Sequence, residues 1–283
     1  MTAPRTAPAP LPAAELTRLT DRLHHDGIVG LPQAFTRDWV RELGEDIDTA
    51  FAEARARPGG AVGRGPHRYY VEIHPEQLRG FTELAAHPWI TAVAEAVLGP
   101  EYRIVEVGFD VPLPEAVDQP WHRDFPMPEE TARDRRLTSL AVNVTAVDTE
   151  EDMGPFEIAL GTHWDDGSTF AHGMFPPRED YPRYRDLAVR KYPQMGDISI
   201  RSALTIHRGT ANRSAKSRPV LVLGLDAPGA GNDERHDTAV TGEFWESLPD
   251  AVRSHLRCPV VEKLRPITQK HTIEGLVMGE AES

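Results

Sequence analysis

Apolar residues recur at helical spacing in three stretches near the start of the chain. In AAELTRLTDRLHHDG, Leu16, Leu19 and Leu23 fall on one face, and Gly27 stands where a helix should stop. A short apolar run, IVGL, follows and predicts a strand. In TRDWVRELGEDIDTAFAEARA, Trp39, Leu43, Ile47 and Phe51 are spaced by four behind Thr36, a side chain suited to cap a helix. The glycines and prolines of RPGGAVGRGPHR break that helix in a surface loop. A third helix is predicted around HPWITAVAEAVLGP, ending at Gly99.

The pattern changes after residue 100. YRIVEVGFDVPLP, LTSLAVNVTAVD, FEIALGTH, DISIRSALTIHRG and RPVLVLGLDAP are short runs rich in β-branched residues, separated by Gly, Pro and Asp. Helices first and many short strands afterwards predict a mainly β fold, a sandwich or barrel with helices on one outer face. The reading divides the chain into a flexible tail at 1–14 and a single domain at 15–283, with its β core at about 100–226. A long insertion rich in Pro, Tyr and Arg is expected at about 170–193, placed to serve as a lid. A last helix is predicted at about 241–257, with Phe244, Trp245, Leu248, Val252 and Leu256 on its apolar face.

Composition narrows the class of function. A net charge of −13 argues against nucleic acid and anionic membranes, which reward basic surfaces, and leaves a small molecule as the expected partner. The single cysteine, Cys258, excludes an intramolecular disulfide and reads as a buried small hydrophobe. MTAPRTAPAPLPAAE lacks the apolar stretch of a signal peptide, and no 18-residue apolar span occurs, so a cytoplasmic protein is expected.

The candidate chemistry begins in QPWHRDFP, where His122 and Asp124 are two residues apart and share a face if the segment is extended. Alone, that spacing fits a surface turn, a His–Asp hydrogen bond or half of a metal clamp. A kinase-like loop is excluded, because the following Asn, the Gly-rich nucleotide loop and the Asp-Phe-Gly are missing. His207, ending the apolar run in LTIHRGTANRS, is the best third ligand. Two imidazoles and one carboxylate form the facial triad of a mononuclear non-haem Fe(II) site, with positions left open for substrate and oxygen. Arg218 follows eleven residues after His207 at the start of RPVLVLGL, and a guanidinium there suits a dicarboxylate.

QPWHRD, GPFEIALGTH and HRGTANRSAKSRPVLVL, in this order and with the eleven-residue His-to-Arg gap, resemble the phytanoyl-CoA dioxygenase family. The likeness extends in layout over roughly residues 20 to 226. It implies a double-stranded β-helix, or jelly roll, and an oxygenase that consumes Fe(II), 2-oxoglutarate and O2. His122, Asp124 and His207 map onto the iron ligands, and Arg218 onto the residue that pairs with the distal carboxylate of 2-oxoglutarate. Where the family carries a lysine on the strand before the His-x-Asp motif, this chain has Asp110 and Val111, which implies that the lysine's contact is absent. Where the family often has a serine near the cosubstrate, this chain has Gly209, close to the oxoacid, with Thr210 beside it. Related halogenases have a small residue in place of the carboxylate ligand, so Asp124 implies oxidation, most simply hydroxylation, over halogenation. Ketone formation, desaturation and ring closure use the same chemistry, with the outcome set by how the substrate is held.

A second class of function uses the same ligands: a cupin-like Zn or Ni protein that binds or isomerises without oxygen chemistry. Arg218 discriminates, since only the oxygenase needs a dicarboxylate clamp. Outside the motifs, His163 is expected to be satisfied by backbone groups, Trp164 to pack or to line a pocket, and Phe125 to face away from the site into the core unless a bend at Pro126 brings it to the mouth of the site.

Overall fold

The structure is a computed structural model that describes residues 11–232 and 235–270. Most of the tail expected at 1–14, and the last residues of the chain, lie outside the described residues. The strands in chain order are β1 (Ile28–Leu31), β2 (Val62–Gly63), β3 (Arg68–Glu72), β4 (Arg103–Pro112), β5 (Ser139–Thr145) and β6 (Phe156–Ala159). They continue with β7 (Ala188–Lys191), β8 (Ile198–Ser202), β9 (His207–Gly209), β10 (Val220–Asp226), β11 (Val240–Thr241) and β12 (Val260–Val261). Seven form one antiparallel sheet in the order β1-β8-β5-β10-β4-β3-β2, and β7-β6-β9 form a smaller one. Together they make the jelly roll.

Period-two alternation gives the large sheet two unlike faces. On β10, Leu221, Leu223 and Leu225 are buried in the main core, while Val220, Val222, Gly224 and Asp226 line an internal cavity. The outer face is covered by helices α1 (Ala13–Asp26), α2 (Arg37–Arg55), α3 (Phe81–Ala85) and α4 (Pro88–Leu98). Their apolar stripes, Leu19 and Leu23 on α1 and Trp39, Val40, Leu43 and Ile47 on α2, lie in that same core. Each fully buried leucine of this layer contributes about 2 kcal/mol of transfer free energy.

Local chemistry fixes the helix ends. The Thr36 hydroxyl accepts a hydrogen bond from the Trp39 N–H at 3.3 Å and caps α2. Gly27 stops α1 in the left-handed region, at φ 81°, with its N–H donating to the Leu23 carbonyl at 2.9 Å. A Cβ there would also come within 2.7 Å of His163 Nδ1, so glycine is required twice over.

Three expectations change. The first strand, IVGL, is no isolated piece: it pairs with β8 and extends the large sheet, as β3 does from its other side, so the β core starts well before residue 100. After the short helix α5 (Glu129–Asp134), the segment at 170–193 holds α6 (Tyr181–Leu187) and β7, and β7 is a strand of the small sheet, so its last part is framework. The helix expected over 241–257 is instead two short ones, α7 (Gly242–Ser247) and α8 (Asp250–Arg253). Pro249, which has no N–H to donate, stands between them. Among the described residues no helix is long and apolar enough to cross a membrane.

Candidate metal centre and its cavity

The segment carrying His122 and Asp124 is laid against β9 and the turn before it. His122 and His207 exchange both backbone hydrogen bonds, at 3.0 and 2.9 Å, and the Asp124 N–H donates to the Ala203 carbonyl at 3.0 Å. In this extended pairing residues 122 and 124 project to one side, and the strand opposite brings His207 to meet them. One ligand atom from each of the three lies within 4.8 Å of the others, and His207 Nε2 is 3.4 Å from Asp124 Oδ1.

The protonation states suit a cation. His122 Nδ1 donates to the Pro120 carbonyl and His207 Nδ1 to the Thr205 carbonyl, both at 2.8 Å. Those bonds fix the tautomers and leave each Nε2 as a lone-pair donor. Burial pushes the His122 imidazole down to about 4 and holds His207 well below its ordinary value, so both are neutral at pH 7. Burial alone would raise the Asp124 carboxyl, but the Arg201 guanidinium beside it outweighs that and brings it down to about 2. Two neutral imidazoles and a carboxylate converging on one point fit a divalent ion.

Arg201 was not among the residues singled out from sequence. It donates to Asp124 Oδ2 at 2.6 Å from an inward position on β8, and it is almost wholly buried. A signal for it was present: an arginine inside the apolar run DISIRS must find an anion if it points into the barrel.

Arg218 is buried just before β10, its Nε donating to the Met153 carbonyl at 3.3 Å. Burial, together with the nearby Arg68, lowers its guanidinium to about 10. Arg68, on β3, donates to Asp110 Oδ2 at 2.9 Å and to the Thr210 carbonyl at 3.1 Å, and is 1% exposed. A Cβ built at Gly209 would lie 2.6 Å from the Arg68 guanidinium carbon, so glycine is what makes room for this arginine. Asp110 and Gly209, the two departures from the family pattern, are thereby explained together. A second cation does stand beside Arg218, supplied by a strand that the motifs do not include. The Thr210 hydroxyl is turned to the Pro155 carbonyl.

His122, Asp124, His207, Arg201, Arg218, Arg68, Asp110 and Gly209 line one cavity of about 980 Å³. His172, Met174, Phe175 and Tyr192 from the 170–193 segment add to its wall. Phe125 lines it as well, the outcome that a bend at Pro126 allows and strict alternation does not. The chain leaves strict alternation at this point, where Pro126 follows, and residue 125 is swung round to the cavity. Trp121 and Arg123 are fully buried, Trp121 in a second apolar cluster and Arg123 over the Phe170 ring. His163 is satisfied on one side only, its Nε2 donating to the His24 carbonyl at 2.9 Å while its buried Nδ1 has no hydrogen-bond partner, and Trp164 packs on the His24 ring. Cys258 is half-buried against the main core.

The same architecture is found in solved structures. The non-heme alpha ketoglutarate dependent epimerase SnoN from nogalamycin biosynthesis is 24% identical, with a TM-score of 0.59 over 78% of this chain and 90% of that one. The carbocyclase SnoK from the same biosynthesis is 20% identical, with a TM-score of 0.59 over 81% and 93%. EctD from S. alaskensis, solved with 2-oxoglutarate and 5-hydroxyectoine, is 19% identical, with a TM-score of 0.59 over 79% of each chain. Among curated proteins no significant match is found. The model of the family described as phytanoyl-CoA dioxygenase matches residues 23–220, more than two thirds of the chain, and so takes in His122, Asp124, His207 and Arg218. With that match the chain belongs to the phytanoyl-CoA dioxygenase family, whose members are non-haem iron oxygenases dependent on 2-oxoglutarate.

Proposed function

We propose that the protein hydroxylates a small molecule, with His122, Asp124 and His207 holding Fe(II) and with Arg218 and Arg68 binding the distal carboxylate of 2-oxoglutarate. The observation that carries this reading is the convergence of two carbonyl-fixed imidazoles with an arginine-paired carboxylate at the wall of a cavity that also holds two buried guanidiniums. When bound, iron and 2-oxoglutarate supply the oxidising power: O2 is split, one oxygen atom ending in succinate as CO2 leaves and the other in the product.

The chain's own part is to position and to exclude water. Arg201 grips Asp124 mainly through Oδ2, at 2.6 Å, and more loosely through Oδ1, at 3.4 Å, which is also the oxygen on the side of His207. Phe175 and Phe156 lie beside the His122 and His207 rings, at 6.0 and 5.2 Å, and keep that side of the site apolar. Gly209 lets the Arg68 guanidinium approach the backbone. The Zn or Ni alternative uses the same three ligands but has no use for two buried cations next to them, and the oxygenase reading is preferred on that ground. The nogalamycin-pathway neighbours support placing the substrate among bacterial specialised metabolites. A reducing cytoplasm, where iron stays ferrous and Cys258 stays a thiol, suits this chemistry.

Anaerobic titration of the protein with Fe(II) and then 2-oxoglutarate is the test. A weak visible charge-transfer band is expected, and it should vanish in Asp124→Ala and His207→Ala. A parent protein that gives no band, or variants that give the same band as the parent, would overturn the reading.

A further inference from the structure

The jelly roll leaves β1 at the edge of the large sheet and β7 at the edge of the small one, and both border the cavity. On β1 the inward residues are Ile28, opposite Arg201, and Gly30, opposite Ser199, so glycine puts no side chain into this end. On the small sheet Lys191, Phe156 and Gly209 form one cross-strand row over β7, β6 and β9, and all three line the cavity. The row leads to the metal centre, since the Phe156 ring is 5.2 Å from the His207 ring and 5.8 Å from the Arg201 guanidinium carbon. Lys191 stands one strand spacing beyond Phe156, about 4.8 Å between Cα atoms, and its flexible four-carbon stem carries an ammonium along that wall.

The cations around Lys191 are engaged. Arg201 holds Asp124, Arg22 on α1 holds Asp26 at 3.1 Å, and Arg190 and Arg208 hold Glu157 on the opposite face of the small sheet. Lys191 differs from them: among the described residues its ammonium makes no hydrogen bond and no ion pair. The acids nearby are taken. Asp26 binds both Arg22 and His25, and Asp197 on the same rim accepts the backbone N–H groups of Gln33 and Gln194, both at 2.9 Å. Burial and Arg22 lower the affinity of Lys191 for its proton by more than Asp26 raises it, as expected of a half-buried charge with no close counter-ion. Such a charge is costly to hold away from water, and an anion arriving from the cavity removes the cost.

We propose that Lys191 is a specificity-determining residue that receives an anionic oxygen group of the substrate, whose apolar body lies between Ile28 and Phe156 with its reacting carbon toward the metal ligands. This rests on the oxygenase reading above and adds to it the substrate's chemical class, an organic anion. A lysine ammonium is a compact point charge with three donors, so a carboxylate, a sulfate ester or a phosphate ester meets it equally well. The place is separate from that of the cosubstrate. Gly209, with the Arg68 guanidinium over it, is two strands from Lys191, about 10 Å, and Phe156 stands between them.

The experiment uses the full chain with Fe(II) and saturating 2-oxoglutarate under anaerobic conditions, so that Arg218 and Arg68 are already occupied. Calorimetric titration compares phenylbutyrate with phenylbutyramide, and hexyl sulfate with hexanol. At least one anion should bind about tenfold or more tightly than its neutral counterpart, a difference of about 1.4 kcal/mol, while the charge-transfer band persists. Lys191→Gln should abolish that preference and Lys191→Arg should keep most of it, with the 2-oxoglutarate affinity read from the band unchanged in both. Three results would overturn the assignment and leave the oxygenase standing: equal binding of anions and neutral counterparts, a Lys191→Gln protein that keeps the parent's preference, or anions that bind only by displacing 2-oxoglutarate and its band. Weaker 2-oxoglutarate binding in Lys191→Gln would overturn it too, by making Lys191 a contact of the cosubstrate. A missing band in the parent would instead remove the oxygenase reading, and the substrate assignment with it.

Discussion

Arg201 Nη1 lies 2.6 Å from Asp124 Oδ2, so the carboxylate offered to the metal is gripped from behind by a buried cation. Partners of this kind orient a ligand and set its charge, and losing one commonly lowers metal affinity by about 10- to 100-fold. Arg201→Met should therefore weaken Co(II) binding by about that factor, as read in the visible spectrum of the titrated protein, and Arg201→Lys should restore part of it. Unchanged affinity in Arg201→Met would mean that the bond does not orient Asp124.

Gly209 and Arg68 make a second prediction. Any side chain at 209 collides with the Arg68 guanidinium, so Gly209→Ser should push it away from Asp110. The KM for 2-oxoglutarate should rise about tenfold or more, a loss of about 1.4 kcal/mol, with a smaller change in kcat. Steady-state kinetics of succinate formation would show this. A Gly209→Ser protein with the parent's KM would dissociate Arg68 from cosubstrate binding.

A third concerns the small sheet. Glu157 on β6 is 8% exposed and accepts from Arg190 on β7, at 2.5 and 3.0 Å, and from Arg208 on β9 at 2.8 Å. Removing the central charge of such a group strands its partners, typically at about 3–5 kcal/mol when they are fully buried. Arg190 is partly exposed, so Glu157→Ala should cost less, about 2 kcal/mol, with Tm lowered by several degrees in differential scanning calorimetry. Stability equal to the parent's would show that the strands cohere without the ion pairs.

The fourth is a pH dependence of the metal-free protein. Burial brings His163 and His122 down to about 4, against about 6.5 in an unfolded chain. Between those values the unfolded chain takes up protons that the native state refuses, so stability is whole above about pH 6.5 and declines as the pH falls toward 4. His236 acts in the opposite sense, since its folded value is raised and its contribution is lost as the pH rises past that value. Urea denaturation over this range should give a positive slope of stability against pH, and His163→Gln, remote from the metal ligands, should flatten it. A slope unaffected by that substitution would rule out His163 as a source.

Much of this was legible because each feature had a local cause. The α2 stripe is read from its period and its Thr36 cap, and β10 from a run of aliphatic residues opened by Arg218. The His122, Asp124 and His207 cluster was reached from a His-x-Asp pair, a histidine after an apolar strand and the Arg218 gap, with the likeness to the family deciding among readings that the spacing alone left open. Other features depend on pairing across the chain. Arg68 lies 142 residues from the Thr210 carbonyl it meets, and no spacing joins the two. Lys191 reads as an ordinary polar position until the register sets it beside Phe156. Phe125 reads either way from the sequence, into the core by strict alternation or to the cavity by a bend at Pro126, and only the fold decides between them.

The two-way backbone bond between His122 and His207 joins segments 85 positions apart at the seam where the β-helix closes on itself. Both imidazoles therefore belong to one rung of that seam. A cation bound there is a fastener as well as a reagent, because it ties together two strands whose parting would undo the site. Loading the metal should slow amide exchange at residues 122 and 207 more than anywhere on the outer helices, so that the centre is at its tightest when it is ready to react.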